Sequence, residues 1–264
     1  MSKFLIPAQR RERIQEYLVS NKIVRTADLC DMLETSEATV RRDLEWLEQE
    51  GILERTHGGA IINQRMIFEP EYPQRAQRHP EEKRRIGTLA ASLIKKDDIV
   101  FLNSGTTTTQ VVHQIRNDAS ISIFTNNLSS VAEAGGPGFH HYLIGGEFQP
   151  RSNSLAGQFA IENLERVFAN KTILGVDGIS LKHGFTVPSN DEAEVIRQMI
   201  SHTKGEIIIV ADHSKWGVVS NFQIAKIDEI DKLITDDEFD PSGLESLAEY
   251  GVEILTTEAN PVVS

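Results

Sequence analysis

Thr35-Ser-Glu-Ala-Thr-Val-Arg-Arg-Asp-Leu-Glu-Trp-Leu-Glu-Gln-Glu-Gly51 is the stretch on which the fold turns. Val40, Leu44 and Leu47 recur at i, i+4 and i+7, so on a helix they share one face and bury it. Ser36 is a fitting N-cap and Gly51 a fitting stop. With the apolar stripe turned inward, Ala38 and Arg42 lie almost opposite it, flanked by Thr39 and Arg41. Small, hydroxyl and arginine side chains near a helix N-terminus suit the major groove of double-stranded DNA.

The flanking sequence supplies the partners this helix needs. Thr26 is expected to cap a helix over Ala27 to Leu33, with Leu29, Met32 and Leu33 inward. Glu34-Thr35 then forms the short turn of a helix-turn-helix. Ile14, Tyr17 and Leu18 mark an earlier helix, from about Ala8 to Asn21. Ile52-Leu-Glu-Arg-Thr-His-Gly-Gly-Ala-Ile-Ile62 predicts two short strands around a turn that Gly58-Gly59 permits. Three helices followed by a β-hairpin make a winged helix. Residues 1–62 are assigned to it.

Charge places the DNA contacts locally. Residues 1–66 hold ten Lys/Arg and eleven Asp/Glu, so the remainder carries nearly all of the −12 net charge. A DNA binder needs a basic patch rather than a basic total. Arg10, Arg11, Arg13, Arg25, Arg41, Arg42 and Arg55 are the candidates for that patch. Ser36, Ala38, Thr39 and the hairpin residue His57 complete the candidate DNA-binding set. The acidic remainder should project away from phosphate.

At 264 residues two domains are expected. One cysteine, Cys30, excludes an intrachain disulfide and fits a reducing compartment. No apolar run approaches the roughly 20 residues of a membrane span, and charge from Arg10 onward does not read as a signal peptide. A cytoplasmic protein is the expectation. Pro70, Pro73 and Pro80 interrupt helix in a linker, 63–82. A helix from about Pro80 to Lys96 then opens a domain over 83–258, with a tail at 259–264.

That domain alternates strands and helices. Apolar runs at 99–102, 121–124, 142–144, 172–176, 207–211, 232–235 and 252–255 are short and rich in Ile and Val. Helical patterns at 107–116, 127–134 and 190–202 lie between several of them. Such runs read as strands buried on both faces of a Rossmann-like, mostly parallel α/β sheet, whose ligands sit at the carboxyl ends of its strands. Four loops there carry chemistry. In Asn103-Ser-Gly-Thr-Thr-Thr-Thr109, Ser104, Gly105, Thr106 and Thr107 suit a phosphate at a helix start. The bland alternative is an ordinary capped turn. Asp177-Gly178 ends a strand where a carboxylate can meet sugar hydroxyls, or is simply a turn. Lys215 stands just past another strand end, fit to pair with phosphate or to face solvent. Gly145-Gly146 with Arg151 is a weaker signal. Asp191, Glu192 and Glu194 at a helix start complement its dipole.

Together these residues resemble the DeoR family of bacterial transcriptional repressors. The resemblance runs from Pro7 to Asp236. It is carried by Ala38-Thr-Val-Arg-Arg-Asp43, Arg55-Thr-His-Gly-Gly-Ala60, Glu82-Lys-Arg-Arg-Ile86, Ser104-Gly-Thr-Thr107, Thr125-Asn126, Gly145-Gly146, Gly175-Val-Asp-Gly178, Asp212-His-Ser-Lys215 and Thr235-Asp236. It implies a winged helix joined to a sensor domain similar to ribose-5-phosphate isomerase, a phosphorylated sugar or related metabolite as effector, and homo-oligomers on operator DNA. It adds Asn126 and Glu192 to the effector-binding candidates and calls for no cofactor, metal or catalytic residue. The family often has Asp where Asn103 stands. The isomerase pattern Asp-Gly-Ala-Asp becomes Asp177-Gly-Ile-Ser180, so the second acid is missing and proton transfer lacks a group. An isomerase-like enzyme carrying a DNA-binding domain is the alternative reading, and a domain that only oligomerises is a third.

Overall fold

The computed structural model describes residues 5–21, 23–50, 52–62, 64–65, 71–115, 120–133 and 138–258. Gly51, Pro70, Arg116, Ala134 and the tail 259–264, each given a place above, lie outside them. The first elements are α1 (Pro7–Asn21), β1 (Ile23–Arg25), α2 (Thr26–Leu33), α3 (Glu37–Gln49), β2 (Leu53–Thr56) and β3 (Gly59–Ile62). Ile14, Leu18, Leu29, Leu33, Val40, Leu44 and Leu47 are buried together. Each such side chain contributes roughly 1.5–3 kcal/mol on burial. Ser36 caps α3, its hydroxyl oxygen accepting the Thr39 N–H at 3.4 Å. Thr26 does not cap α2. Arg25 still pairs with Gly59 across the β1–β3 ladder, so the chain leaves the extended form only at Thr26, already the first helical residue. Glu34 closes α2 in the left-handed region at φ 48°.

The hairpin β2–β3 gains a third strand, β1, that periodicity did not reveal. It also changes the reason for the glycines. Gly58 faces open space, whereas a Cβ on Gly59 would lie 1.9 Å from the Val24 carbonyl oxygen. Gly59 is needed for strand approach, not for the turn.

Next come β4 (Gln64–Arg65), α4 (Tyr72–Ala76) and α5 (Pro80–Ser92). Pro73 and Pro80 begin helices rather than breaking them. In a first turn the N–H that proline lacks has no partner to lose. The stretch read as linker thus holds a helix, and the one after it ends at Ser92, not Lys96.

The remaining elements are β5 (Ile99–Leu102), α6 (Thr106–Gln114), β6 (Ser122–Thr125), α7 (Leu128–Glu133), β7 (His140–Leu143), β8 (Glu147–Gln149), β9 (Ser154–Ala156), α8 (Gln158–Leu164), β10 (Ala169–Gly175), β11 (Gly178–Ser180), β12 (Gly184–Val187), α9 (Asn190–Ser201), β13 (Thr203–Val210), β14 (Val218–Val219), β15 (Phe222–Ala225), β16 (Lys232–Asp236), α10 (Pro241–Glu249) and β17 (Glu253–Thr257). Seven strands form one sheet, ordered β17-β16-β13-β10-β5-β6-β7, with every neighbouring pair parallel. Both faces are covered. Val100, Leu102, Ile173, Ile208 and Ile234 pack with Ile86, Ala90 and Val111 from α5 and α6. The alternate residues Phe101, Leu174, Ile209 and Leu233 pack with Ile196 and Met199 of α9 and Leu247 of α10. Two-sided burial is why the central strands β5, β10, β13 and β16 read as apolar runs, whereas the edge strand β7 is largely exposed.

The chain runs outward from β5 to β6 and β7, then returns to the other side at β10. The topological switch point is therefore between β5 and β10, where open sheets of this kind bind ligands. A small antiparallel sheet, β11-β12-β15, stands beside it. The winged helix is packed against this domain rather than tethered beside it. Ile61 belongs to the sensor-side core, and β4 pairs with β14. Glu54, 3% exposed, accepts hydrogen bonds from the Ser180 hydroxyl and, at 3.0 Å, from the Leu181 N–H.

Candidate functional site

Two sites take shape. On α3, Ser36, Ala38, Arg41 and Arg42 are exposed and Thr39 is half-exposed. Arg41 pairs within its own helix, Nη2 lying 2.6 Å from Glu37. Arg13 on α1 and Arg25 at the end of β1 are exposed as well. Arg10 and Arg11 are engaged inside the domain. Their Nε atoms lie 2.7 and 3.1 Å from the two oxygens of buried Asp43, and Arg11 also lies over the Trp46 ring. The run Arg41-Arg42-Asp43 therefore sends Asp43 inward to fasten α1 to α3. Arg55 pairs with Glu45 at 3.1 Å, and His57 meets Glu249 of α10 at 3.0 Å.

The second site lies at the switch point. Ser104, Gly105, Thr106 and Thr107 follow β5, Asp177 follows β10, and Glu192 enters from the first turn of α9; all line one cavity. The loop is built by its neighbours. Asn126 accepts the Ser104 N–H at 2.9 Å and donates to Leu155. Asn103 accepts from the Gly175 N–H at 2.8 Å and donates to its carbonyl at 3.0 Å, tying β5 to β10. An aspartate could not make the second of those bonds. The hydroxyls of Thr108 and Thr109 turn back to the Gly105 carbonyl, so Ser104, Thr106 and Thr107 are the ones presented to the cavity. Gly178 serves packing, since a Cβ there would lie 2.3 Å from the Val218 carbonyl. Asn126, Gly145, Arg151, Gly178 and Lys215 lie outside the lining, Lys215 touching it through Asp177. The Arg151 carbonyl accepts the Tyr72 N–H.

Sequence reasoning missed Arg75. It comes from α4, lines the cavity and sets Nη1 3.2 Å from Asp177. A short polar segment between two prolines, holding Arg75 and Arg78, has no periodicity to betray which arginine serves the site. Tyr72 bonds Thr109 at 2.8 Å, and the Lys83 ammonium donates to the Arg75 and Arg78 carbonyls at 2.6 Å each, so α4 is fastened to the site from both ends. Lys215 reaches Asp177 at 3.6 Å from a short turn that Asp212 caps.

Burial sets the charges. It pushes the Glu192 carboxyl above its ordinary range, helped by nearby Asp177 and opposed by hydroxyls of Ser152 and Ser154. It lowers the Lys83 ammonium to about 8, despite the attraction of Asp212. Burial would raise Asp212 too, but Lys215, Ser214 and Lys83 outweigh it and hold that carboxyl low. With Arg75 and Asp177 paired inside, the cavity is only about 30 Å³. That is room for a water or two, against roughly 300–1,000 Å³ for small-ligand pockets.

The DeoR-like helix-turn-helix domain family matches residues 10–66, and the DeoR C-terminal sensor domain family matches residues 78–237. The chain is 37% identical over 252 residues to the HTH-type transcriptional repressor GlcR of Bacillus subtilis (strain 168), covering 95% of this chain and 96% of that one. It is 34% identical to the HTH-type transcriptional regulator GlpR of Haloferax volcanii, over 95% of this chain and 98% of that one. Ribose 5-phosphate isomerase A of Methanocaldococcus jannaschii is a slight structural likeness, at 12% identity and TM-score 0.37 over 52% of this chain and 54% of that one. No helix among the described residues is long and apolar enough to cross a membrane. With both family matches in chain order and curated relatives aligned from end to end, the chain belongs to the DeoR family of DNA-binding transcriptional regulators.

Proposed function

We propose that the protein represses genes of carbohydrate metabolism, acting in the cytoplasm as a homo-oligomer, and leaves its operator when a phosphorylated sugar or related metabolite enters the switch-point cavity. The observation that carries this reading is the cavity's mixed chemistry. Hydroxyls on the Ser104–Thr107 loop and the guanidinium of Arg75 suit phosphate, while Asp177 and Glu192 suit sugar hydroxyls. Because the cavity is nearly filled, the ligand has to part Arg75 from Asp177. A phosphate is the group that does this best, since it offers the guanidinium a replacement anion. A ligand shifts DNA affinity only through its difference in affinity for the two states. Ser180 takes no acid's role here; it donates its hydroxyl to Glu54 of the winged helix.

The test is calorimetric titration of aldose and ketose phosphates, followed by titration of the ligand found into a protein–DNA complex. Lys215→Ala and Arg75→Ala should weaken ligand binding about tenfold or more, the scale of losing a charge-assisted hydrogen bond, and leave DNA affinity unchanged. If both variants release DNA at the wild-type ligand concentration, the cavity is not the sensor.

A further inference from the structure

A winged helix reads DNA with its third helix and its wing together, and the phosphate backbone passes between them. In this structure another part of the chain walls off that position. Arg41 and Glu37 of α3, Thr26 and Ala27 of α2, and the wing turn Thr56–Gly59 line one side of a cleft of about 720 Å³. The other side is Leu181, Ser246, Glu249 and Tyr250 of the sensor domain. Contacts close it at the wing. The Thr56 hydroxyl lies 2.8 Å from that of Ser242, and the His57 N–H donates to the Ser246 hydroxyl at 3.1 Å. The His57 ring meets Glu249 at 3.0 Å. A duplex cannot enter a cleft whose far wall is bonded to the wing turn.

We propose that α10 masks the DNA-reading surface, and that binding DNA requires the wing turn to let go of Ser242, Ser246 and Glu249. The chemistry of the mask fits its place. The exposed residues of α10 include Glu245 and Glu249, carboxylates offered to a surface that otherwise meets phosphate. The contacts divide into two kinds. At the turn they are polar and part-exposed, hence readily exchanged for water. At the wing's root they are buried: Glu54 against Ser180 and Leu181, and Ile61 in the sensor core. The turn is a latch and the root a pivot. The pivot also touches the effector site, because Ser180 ends the same strand, β11, that Asp177 precedes by one residue. That coupling rests on the effector reading above; the mask does not.

The experiment locks the latch. In a Cys30→Ser background, Thr56→Cys with Ser242→Cys joins the wing turn to α10 by a disulfide. The probe is a fluorescent random-sequence duplex of about 30 base pairs at low salt, where binding reports the exposed basic surface. The oxidised protein should bind it at least tenfold more weakly than the same protein reduced. Equal affinity in the two forms overturns the mask. Glu249→Ala is the second variant, with Glu165→Ala as a control of equal net charge on an exposed site. Glu249→Ala should bind the duplex about threefold more tightly than that control, and equal binding counts against the proposal. For the coupling, sugar phosphate is added to the reduced double-cysteine protein and the rate of disulfide formation followed. Faster closure is expected; a metabolite that binds and releases DNA yet leaves that rate unchanged overturns the coupling alone.

Discussion

At the scale of single residues, Glu192 joins the fold to the chemistry of the cavity. Its carboxyl is held above the ordinary value by burial and by Asp177, so it keeps its proton to higher pH than an exposed glutamate. Protonated, it adds no negative charge to the cavity that we propose takes a phosphate. As pH rises through its raised pKa, the new carboxylate repels the ligand. Sugar-phosphate affinity should therefore fall with rising pH above the usual glutamate value of about 4.3. Glu192→Gln should remove that part of the dependence and leave only the ligand's own titration near pH 6. Calorimetry across pH 5 to 8 checks it, and identical profiles for the two proteins would remove Glu192 from the site. Asp177 and Ser104–Thr107 were legible in the sequence because a strand end names its own loop. Arg75 was not, since its role depends on where a short helix lands after the chain has folded.

At the scale of elements, legibility followed burial. The central parallel strands were readable because two covered faces leave no polar alternation to confuse the pattern; the exposed edge strand β7 showed only as the shorter run 142–144. The antiparallel strands β11, β12 and β15 are three or four residues long and were not seen. The connecting segment misled for a definite reason: proline ends one helix and begins the next with equal ease, and only the structure shows that Pro73 and Pro80 do the latter. The wing offers a sharper test. Gly59→Ala forces β1 from β3, because its Cβ would meet the Val24 carbonyl at 1.9 Å. The expected loss of stability is about 2–3 kcal/mol, as for an overpacked site without room to relax. Gly58→Ala, in open space, should be close to neutral. Denaturant melts of the two variants decide the point, and equal stabilities would refute this account of the wing.

At the scale of the molecule, the chain's acidity has to be reconciled with DNA. The −12 net charge is carried almost wholly outside residues 1–66, so approach to a duplex is favourable only with the reading surface foremost. An oligomer that presents paired winged helices should protect repeated half-sites, their centres about one helical turn of roughly 34–36 Å apart or a multiple of it. A footprint of one unrepeated half-site, from a protein that sediments as a monomer, would exclude that arrangement.

Ile61 has a consequence for exchange between relatives. A residue of the reading head is built into the hydrophobic interior of the sensing half, so the two halves are not interchangeable modules. A fragment of residues 1–66 made alone would expose Ile61 and strand the carboxylate of Glu54 without its hosts. We expect that fragment to aggregate, and to gain solubility when Ile61 is replaced by Ser. A chimera taking its sensor from a relative should fold only where the graft supplies a hydroxyl like that of Ser180 and an apolar socket for Ile61. Thermal melts of such chimeras would show a single cooperative transition when both are supplied and two separate transitions when either is missing. In this chain, new specificity is more readily acquired by altering side chains in place than by trading whole domains.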